Sequence, residues 1–404
     1  MDFGEGAWDV GDNVKYYQSH AGDIKTEYHC SPCGQIKYRL GELFCGPGGL
    51  ALGALNVKVQ NGALHTIEHA WANDFDRSSC NTYAQNICPD SPESVICEDV
   101  RKLDINTLSP IDGFAYGFPC NDFSIVGEKK GFKGNFGPLY SYGVNILNKF
   151  KPKFFVAENV GGLSSSGGGD ALRKILGDLS KSGNGYDLTV HLYNASHYGV
   201  PQARNRIIIV GTDKTCKVNF KVPAPTTKEN QITAFQALTI PPISKYATNN
   251  ELTKQSTTVI ERLKHIKAGE NAWNANLPEH LKLNVKSAKL SQIYKRLDPN
   301  KPSYTITGSG GGGTHCYHWD EPRALTNRER ARIQSFPDHY NFIGSKELVR
   351  KQIGMAVPPK LSETIFTAIL KTFAGIEYDH VPANIDHMAL NKEVQNKIIK
   401  ELSE

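Results

Sequence analysis

Cys120 follows directly on Phe114-Ala115-Tyr116-Gly117-Phe118-Pro119, and Glu158 ends a second short apolar run, Phe154-Phe155-Val156-Ala157, ahead of Asn159 and Val160. A thiol at one strand end and a carboxylic acid at another supply a nucleophile and a hydrogen-bonding acid for covalent chemistry beside a bound cofactor. Pro119 before the thiol and Asn121-Asp122-Phe123-Ser124 after it call for an exposed turn, although a buried apolar thiol is the commoner fate of cysteine. The glycine-hinged basic stretch from Gly127 to Gly134 is able to close on a polyanion, a setting that lowers a thiol pKa. No histidine pair accompanies Glu158, so it reads as an acid rather than a metal ligand.

Upstream, Phe44-Cys45-Gly46-Pro47-Gly48-Gly49 is a glycine-rich turn that lets backbone pass close to a ligand and points helix N–H groups at it. It lacks the full dinucleotide spacing, and no Lys-Ser or Lys-Thr follows as in a phosphate loop. Asp74 at the next strand end suits a ribose hydroxyl pair, Phe75 a purine face, and Asp99 an exocyclic amine. Together they outline a nucleoside-shaped site without a pyrophosphate. Gln202, Arg204 and Arg206 alternate along a strand start and so share one side, where polar groups need partners or a ligand.

These residues need a scaffold of alternating units. Strands are expected from Gly41, over His65–Asp74, over Val95–Asp99, before Cys120, before Glu158 and over Arg206–Gly211, with helices from Leu50, around Ser78–Gln85 and around Tyr140–Lys149. That is an α/β fold with a mostly parallel Rossmann-like sheet flanked by helices. Residues 1–40 show no clear period and read as an extension packed on a main domain of 41–211. Residues 212–335 form a smaller loop-rich domain whose one amphipathic stretch is Val259–Ala268. Residues 336–404 return to complete the main domain, with a segment over Ile353–Leu370 that starts with a Gly and the Pro358-Pro359 pair and continues as an apolar helix, and a charged, mostly helical tail. Thr326 with Glu329 predicts a capped helix start.

Charge is unevenly placed. Fourteen Lys and Arg against seven Asp and Glu lie between Gly211 and Asn300, a net of +7 that leaves −2 for the rest of a chain whose total is +5. A polyanion partner is the implied consequence. The start Met1-Asp2-Phe3-Gly4-Glu5 has no secretory pattern, and no run is long enough to span a membrane. The expected location is cytoplasmic, and nine scattered cysteines fit a reducing compartment. His29-Cys30-Ser31-Pro32-Cys33 and His315-Cys316-Tyr317-His318 offer metal-ligand types without a supporting spacing, and no metal is expected.

In this order the motifs resemble a DNA (cytosine-5) methyltransferase of the bacterial restriction–modification type. The resemblance runs from about residue 41 to 211 and from about 303 to 370. Beyond the residues above it uses Arg323-x-Leu325-Thr326-x-Arg328-Glu329, Arg332-x-Gln334-x-Phe336-Pro337 and Gln352-Ile353-Gly354. It implies S-adenosylmethionine as methyl donor, held by Phe44, Gly46, Gly48, Asp74, Phe75, Asp99, Val100, Leu139, Met355 and Val357. It implies Cys120, Glu158, Arg204 and Arg206 as catalytic residues, with Pro119, Asn121, Ser124, Asn159 and Gln202 against the substrate. The implied partner is double-stranded DNA carrying a short specific site, read by the basic interval of about 212–302 as a target-recognition domain. A bacterial monomer working apart from any cognate restriction endonuclease completes the expectation. A tRNA-modifying relative and an inactive DNA-binding homologue are the alternatives. Two positions depart from the pattern: Asn121 stands where Gln is usual, and Met355 where Asn is usual.

Overall fold

The computed structural model describes residues 8–9, 14–18, 24–28, 34–119, 139–164, 169–284, 290–311 and 313–385. Cys120, Asn121, Ser124, the basic loop from Gly127 to Gly134 and the Cys30/Cys33 pair lie outside them.

Three short strands, β1 (Trp8–Asp9), β2 (Val14–Gln18) and β3 (Ile24–Tyr28), pair antiparallel within the stretch where no period was legible. The chain then runs β4 (Gln35–Leu43), α1 (Gly49–Leu55), β5 (Lys58–Asn61), β6 (Ala63–Asp74), α2 (Arg77–Ile87), β7 (Val95–Cys97) and β8 (Gly113–Gly117). It continues through α3 (Tyr140–Phe150), β9 (Phe154–Val160), α4 (Asp170–Ser180), β10 (Tyr186–Asn194), β11 (Gln202–Ala203) and β12 (Asn205–Asp213). Eight of these strands form one sheet in the order β10-β12-β9-β8-β4-β6-β5, with β7 also on β6.

The centre of the sheet, β9-β8-β4-β6-β7, is parallel as expected, whereas β12 enters antiparallel between β9 and β10. The alternation of side chains explains why both faces are covered. Phe155 and Ala157 of β9, Phe114 and Tyr116 of β8, and Ile207 and Ile209 of β12 pack with Ile146 and Leu147 of α3 and Leu172 and Ile175 of α4. On the other face Phe154, Val156, Ala115, Ile208 and Val210 meet Leu50 and Ala54 of α1.

The remaining elements are β13 (Val222–Pro223), α5 (Ala234–Thr239), α6 (Thr257–Lys264), β14 (Ser303–Tyr304), α7 (Asn327–Ile333), α8 (Lys346–Met355), α9 (Pro359–Phe373) and β15 (His380–Val381). Two smaller apolar clusters lie in this region, one around Leu263, Ile266, Tyr294 and Tyr317, the other around Leu238, Leu297, Ile306 and Ile333. The capping box is present: Thr326 Oγ1 accepts from Glu329 N at 3.1 Å, and Glu329 Oε2 accepts from Thr326 N at 2.7 Å.

One expectation about the elements is corrected. The strand read from Gly41 begins at Gln35, because Gln35–Leu40 pair with Leu64–His69. Within Ile353–Leu370 the apolar helix continues from the Pro358-Pro359 pair as α9, while the residues before the pair end α8, since proline removes an N–H and favours extended backbone before it. Of the tail read as mostly helical, His380–Val381 form β15, antiparallel to β13, and residues 386–404 lie outside the described ones. Beyond Arg206–Gly211, Phe220 and Val222 are buried in the same cluster as Ile208.

Candidate active site

The glycine turn follows the end of β4. Phe44 has φ 53°, an uncommon conformation for a bulky residue that stores strain, and its ring packs with Val100 and Leu139 in one cluster. Gly46 has φ 53°, and a Cβ built there would meet nothing within 4 Å, so the backbone faces open space. Its N–H donates to Asp74 Oδ2 at 2.9 Å, while Asp76 N donates to Asp74 Oδ1 at 2.9 Å. Burial pushes the Asp74 carboxyl up, and these two N–H groups hold it back. Asp76 caps α2 through Ser79 N at 2.8 Å.

At Gly49 an added Cβ would sit 2.2 Å from the Val357 carbonyl oxygen, so only glycine lets α1 touch that segment. The expected nucleoside residues Phe44, Gly46, Gly48, Asp74, Phe75 and Val357 therefore cluster at the carboxyl ends of β4 and β6. Phe75 presents a ring 68% exposed, with the Lys351 ammonium 6.0 Å from its centroid. Met355 ends α8 and is 52% exposed. Asp99 lies two residues beyond β7 and is held by its neighbour: Arg101 Nε donates to Oδ1 and Oδ2 at 2.9 and 3.0 Å. Those bonds bring its carboxyl down to about 2.

A second set of groups lies at the ends of β8 and β9. Glu158 Oε1 stands 2.7 Å from Arg206 Nε, and both side chains are only 12% exposed. Gly117 pairs with Glu158 across the sheet, and a Cβ on Gly117 would lie 3.1 Å from Glu158 Oε2. Asn159 Nδ2 donates to the Phe118 carbonyl at 3.0 Å and its Oδ1 accepts from Val160 N at 2.8 Å. The segment leading through Pro119 is thus fastened to β9 immediately before it leaves the described residues.

The three alternating polar residues do not converge on one ligand. Gln202 is buried, donating to Gln334 Oε1 at 2.8 Å and accepting from Ile306 N at 2.8 Å. Arg204 is fully buried, with Nη1 on the Ile306 carbonyl at 3.0 Å and Nη2 on the Gly354 and Ala356 carbonyls at 2.9 and 3.2 Å. Arg206 alone turns to Glu158. His315, Cys316 and His318 make no metal-type group among the described residues, nor is any described helix long and apolar enough to cross a membrane.

One polar residue under the turn was missed. Glu42 of β4 is buried and accepts from Tyr83 Oη at 3.1 Å, while Tyr83 Oη lies 3.3 Å from His69 Nδ1 and His69 Nε2 lies 2.8 Å from Ser94 Oγ. The available signal was a lone carboxylate inside Gly41–Phe44. Burial pushes its carboxyl up from 4.5 to about 8, with Tyr83 opposing and Asp74 adding. The folded chain keeps a proton that the unfolded chain has released, so this stabilisation is full below about 4.5 and is lost as pH rises through about 8. Glu42→Gln retains an acceptor for Tyr83 and cannot ionise. Its stability relative to the parent is expected to rise across that window by up to about 1.4 kcal/mol per pH unit. Urea midpoints that move in parallel for both proteins between pH 5 and 8 would contradict the assignment.

A glycine turn and Asp74 at the ends of β4 and β6, with an acid–arginine pair at the ends of β8 and β9 of the same sheet, make an α/β protein with its polar groups at the carboxyl ends of parallel strands, and the comparisons give its class as methyltransferase. The profile of the C-5 cytosine-specific DNA methylases matches residues 38–371. The chain belongs to that family and is a DNA (cytosine-5-)-methyltransferase of the type II restriction–modification kind. It is 56% identical over 377 residues to type II methyltransferase M.BbvI of Brevibacillus brevis, covering 91% of this chain and all of that one. Identity to M.NgoFVII of Neisseria gonorrhoeae is 40% over 347 residues, 84% of this chain and 88% of the relative. A crystal structure of a prophage-encoded DNA modification methyltransferase from Escherichia coli shares the fold, with a TM-score of 0.63 at 24% identity over 83% of this chain and 99% of that one.

Proposed function

We propose that the enzyme methylates one cytosine of a short specific site in duplex DNA, after flipping that base, through a covalent bond between Cys120 and C6. The observation that carries this reading is the Glu158–Arg206 pair, 2.7 Å apart and facing the end of β8. Gly117, beside Glu158, stands three residues before Cys120, a length of chain that reaches at most roughly 11 Å.

The open face of Gly46, the exposed Phe75 ring and the strand-end Asp74 fit an adenosine, so these residues with Phe44, Gly48, Val100, Leu139 and Val357 would hold S-adenosylmethionine. When bound, that donor supplies an electrophilic methyl group. Asp99 would share its carboxylate between Arg101 and the ligand, and Met355 would offer an apolar contact in place of an amide.

In the chemical step the Cys120 thiolate adds to C6 of the extrahelical cytosine, and the Glu158 carboxyl bonds N3 and the exocyclic amine as charge enters the ring. Arg206 holds Glu158 in place and reaches O2. These contacts accelerate the reaction only as they strengthen toward the transition state. C5 becomes nucleophilic, and once it is methylated, loss of its proton and elimination of the thiolate release 5-methylcytosine and restore Cys120. Asn159 and Gln202 serve by fastening the flanking backbone, with Pro119, Asn121 and Ser124 nearest the base. Arg204, catalytic by resemblance, acts here as a positioning residue, because its Nη1 and Nη2 are engaged by carbonyls and the side chain is buried. The basic interval would read the site, and the enzyme would work as a monomer apart from any endonuclease.

The test is a duplex carrying 5-fluorocytosine at the target, which has no C5 proton to release. The parent is expected to form a denaturation-resistant adduct and Cys120→Ser none, with methyl transfer to ordinary DNA abolished in the variant. An adduct-free gel with active parent enzyme would refute the covalent route, and transfer to tRNA but not to duplex DNA would refute the substrate.

A further inference from the structure

Five arginines are buried among the described residues, and four of them donate to backbone carbonyls within the protein, although Arg204 Nε itself has no partner. Arg204, Arg296 and Arg328 each donate to several backbone carbonyls, and Arg262 donates to the Leu281 carbonyl with its guanidinium over the Tyr294 ring. Arg330 of α7 is the exception. It is 2% exposed, and its one hydrogen bond among the described residues is from Nη2 to His315 Nδ1 at 3.4 Å.

Arg350 of α8 extends the anomaly. Its Nε is buried with no partner, and its guanidinium lies against Gly310, where an added Cβ would stand 2.4 Å from both Cζ and Nε. Neither arginine has a carboxylate within salt-bridge reach among the described residues, whereas Arg323 and Arg332 on the same segment pair with Glu329 and Asp338. Burial and the two guanidiniums hold His315 down to about 4, so it is a neutral acceptor and adds no counter-charge. Guanidinium groups do not deprotonate in proteins. Two of them, one almost fully enclosed, are left waiting for an anion.

The approach to them is glycine. Gly311 has φ 110° and nothing within 4 Å of a built Cβ, so the turn is open on that side. The base of the turn is tied to the active site: Arg204 holds the Ile306 carbonyl two residues from Arg206, and a Cβ on Gly354 would lie 2.0 Å from Gly308 N. Paired guanidinium forks suit a phosphate's oxygens.

We infer that Arg330 and Arg350, with His315 orienting Arg330, form a seat for one backbone phosphate of the bound duplex, entered over the Gly308–Gly311 turn. The inference rests on DNA being the substrate and adds where the duplex backbone is gripped.

The experiment titrates a fluorescent duplex against full-length parent, Arg350→Gln and Arg330→Met over 50 to 200 mM salt, with unfolding midpoints in phosphate and in chloride at equal ionic strength. Loss of one phosphate contact is expected to flatten the log–log salt slope by about 0.9 in each variant and to weaken binding alike on specific and unrelated duplexes. Phosphate is expected to raise the parent's midpoint and not that of Arg350→Gln, a readout that stands if Arg330→Met fails to fold. Unchanged slopes would overturn the seat. Stabilisation by phosphate with unchanged slopes would mean an adventitious ion only, and would also overturn it. A parent that binds no duplex at all would instead remove the DNA reading on which the inference rests.

Discussion

A Glu158→Gln enzyme is expected to fold and bind duplex DNA like the parent while its single-turnover methyl transfer slows about 10²- to 10⁴-fold. The amide keeps the length and shape of the side chain, and its oxygen still accepts from Arg206 Nε across the present 2.7 Å. What it loses is the ability to hold or share a proton as charge enters the cytosine ring. The site is only 12% open at each of the two side chains, so water is poorly placed to substitute. Rapid-quench measurement of methylated product in one turnover checks the result, with urea unfolding as the control for structure. A rate within threefold of the parent would remove Glu158 from the chemistry. A rate loss matched by an equal loss of stability would reduce it to a partner of Arg206.

The second large effect belongs to Arg204. Arg204→Met is expected to lower unfolding free energy by roughly 2 kcal/mol or more, because the buried Ile306 and Gly354 carbonyls lose their donor at once and each orphan costs about 1–3 kcal/mol. Those carbonyls come from two segments that this guanidinium ties together, while the Ala356 carbonyl keeps Gln334 Nε2 at 3.3 Å. Arg204→Lys is expected to recover little, since one ammonium cannot span the same fork. Denaturant unfolding of both variants measures the cost. Full stability with abolished turnover would return Arg204 to the catalytic group.

How much of this could be read from the chain follows the range of each interaction. Thr326 with Glu329 act within one turn and that cap was legible, whereas the Asp76 cap of α2, of equally short range, was not read. Glu158 and Asp74 were placed well because acids ending apolar strand runs have few structural alternatives. For Gln202 and Arg204, alternation showed that partners or a ligand were needed but not which, since what they meet lies at Ile306, Gln334 and Gly354, more than 100 residues on. Strand direction was hidden for a similar reason. Nothing in Arg206–Gly211 distinguishes a parallel neighbour of β9 from the antiparallel one observed, since its run of isoleucines suits either ladder. Asp99 shows a different limit. Arg101, two residues away, competes for the carboxylate that the expected amine contact would need.

The contact between α1 and α9 has a consequence for biosynthesis. Gly53 leaves room for the Pro359 carbonyl and for Ser362, whose Oγ donates to the Leu50 carbonyl at 2.6 Å, and Tyr340 Oη donates to the Pro47 carbonyl. The glycine turn after β4, made early during translation, is therefore shaped by residues that leave the ribosome 293 to 312 positions later. A nascent or prematurely terminated chain would carry Cys120 and Glu158 without the contacts that shape this turn, which come only once the residues up to Ser362 have emerged.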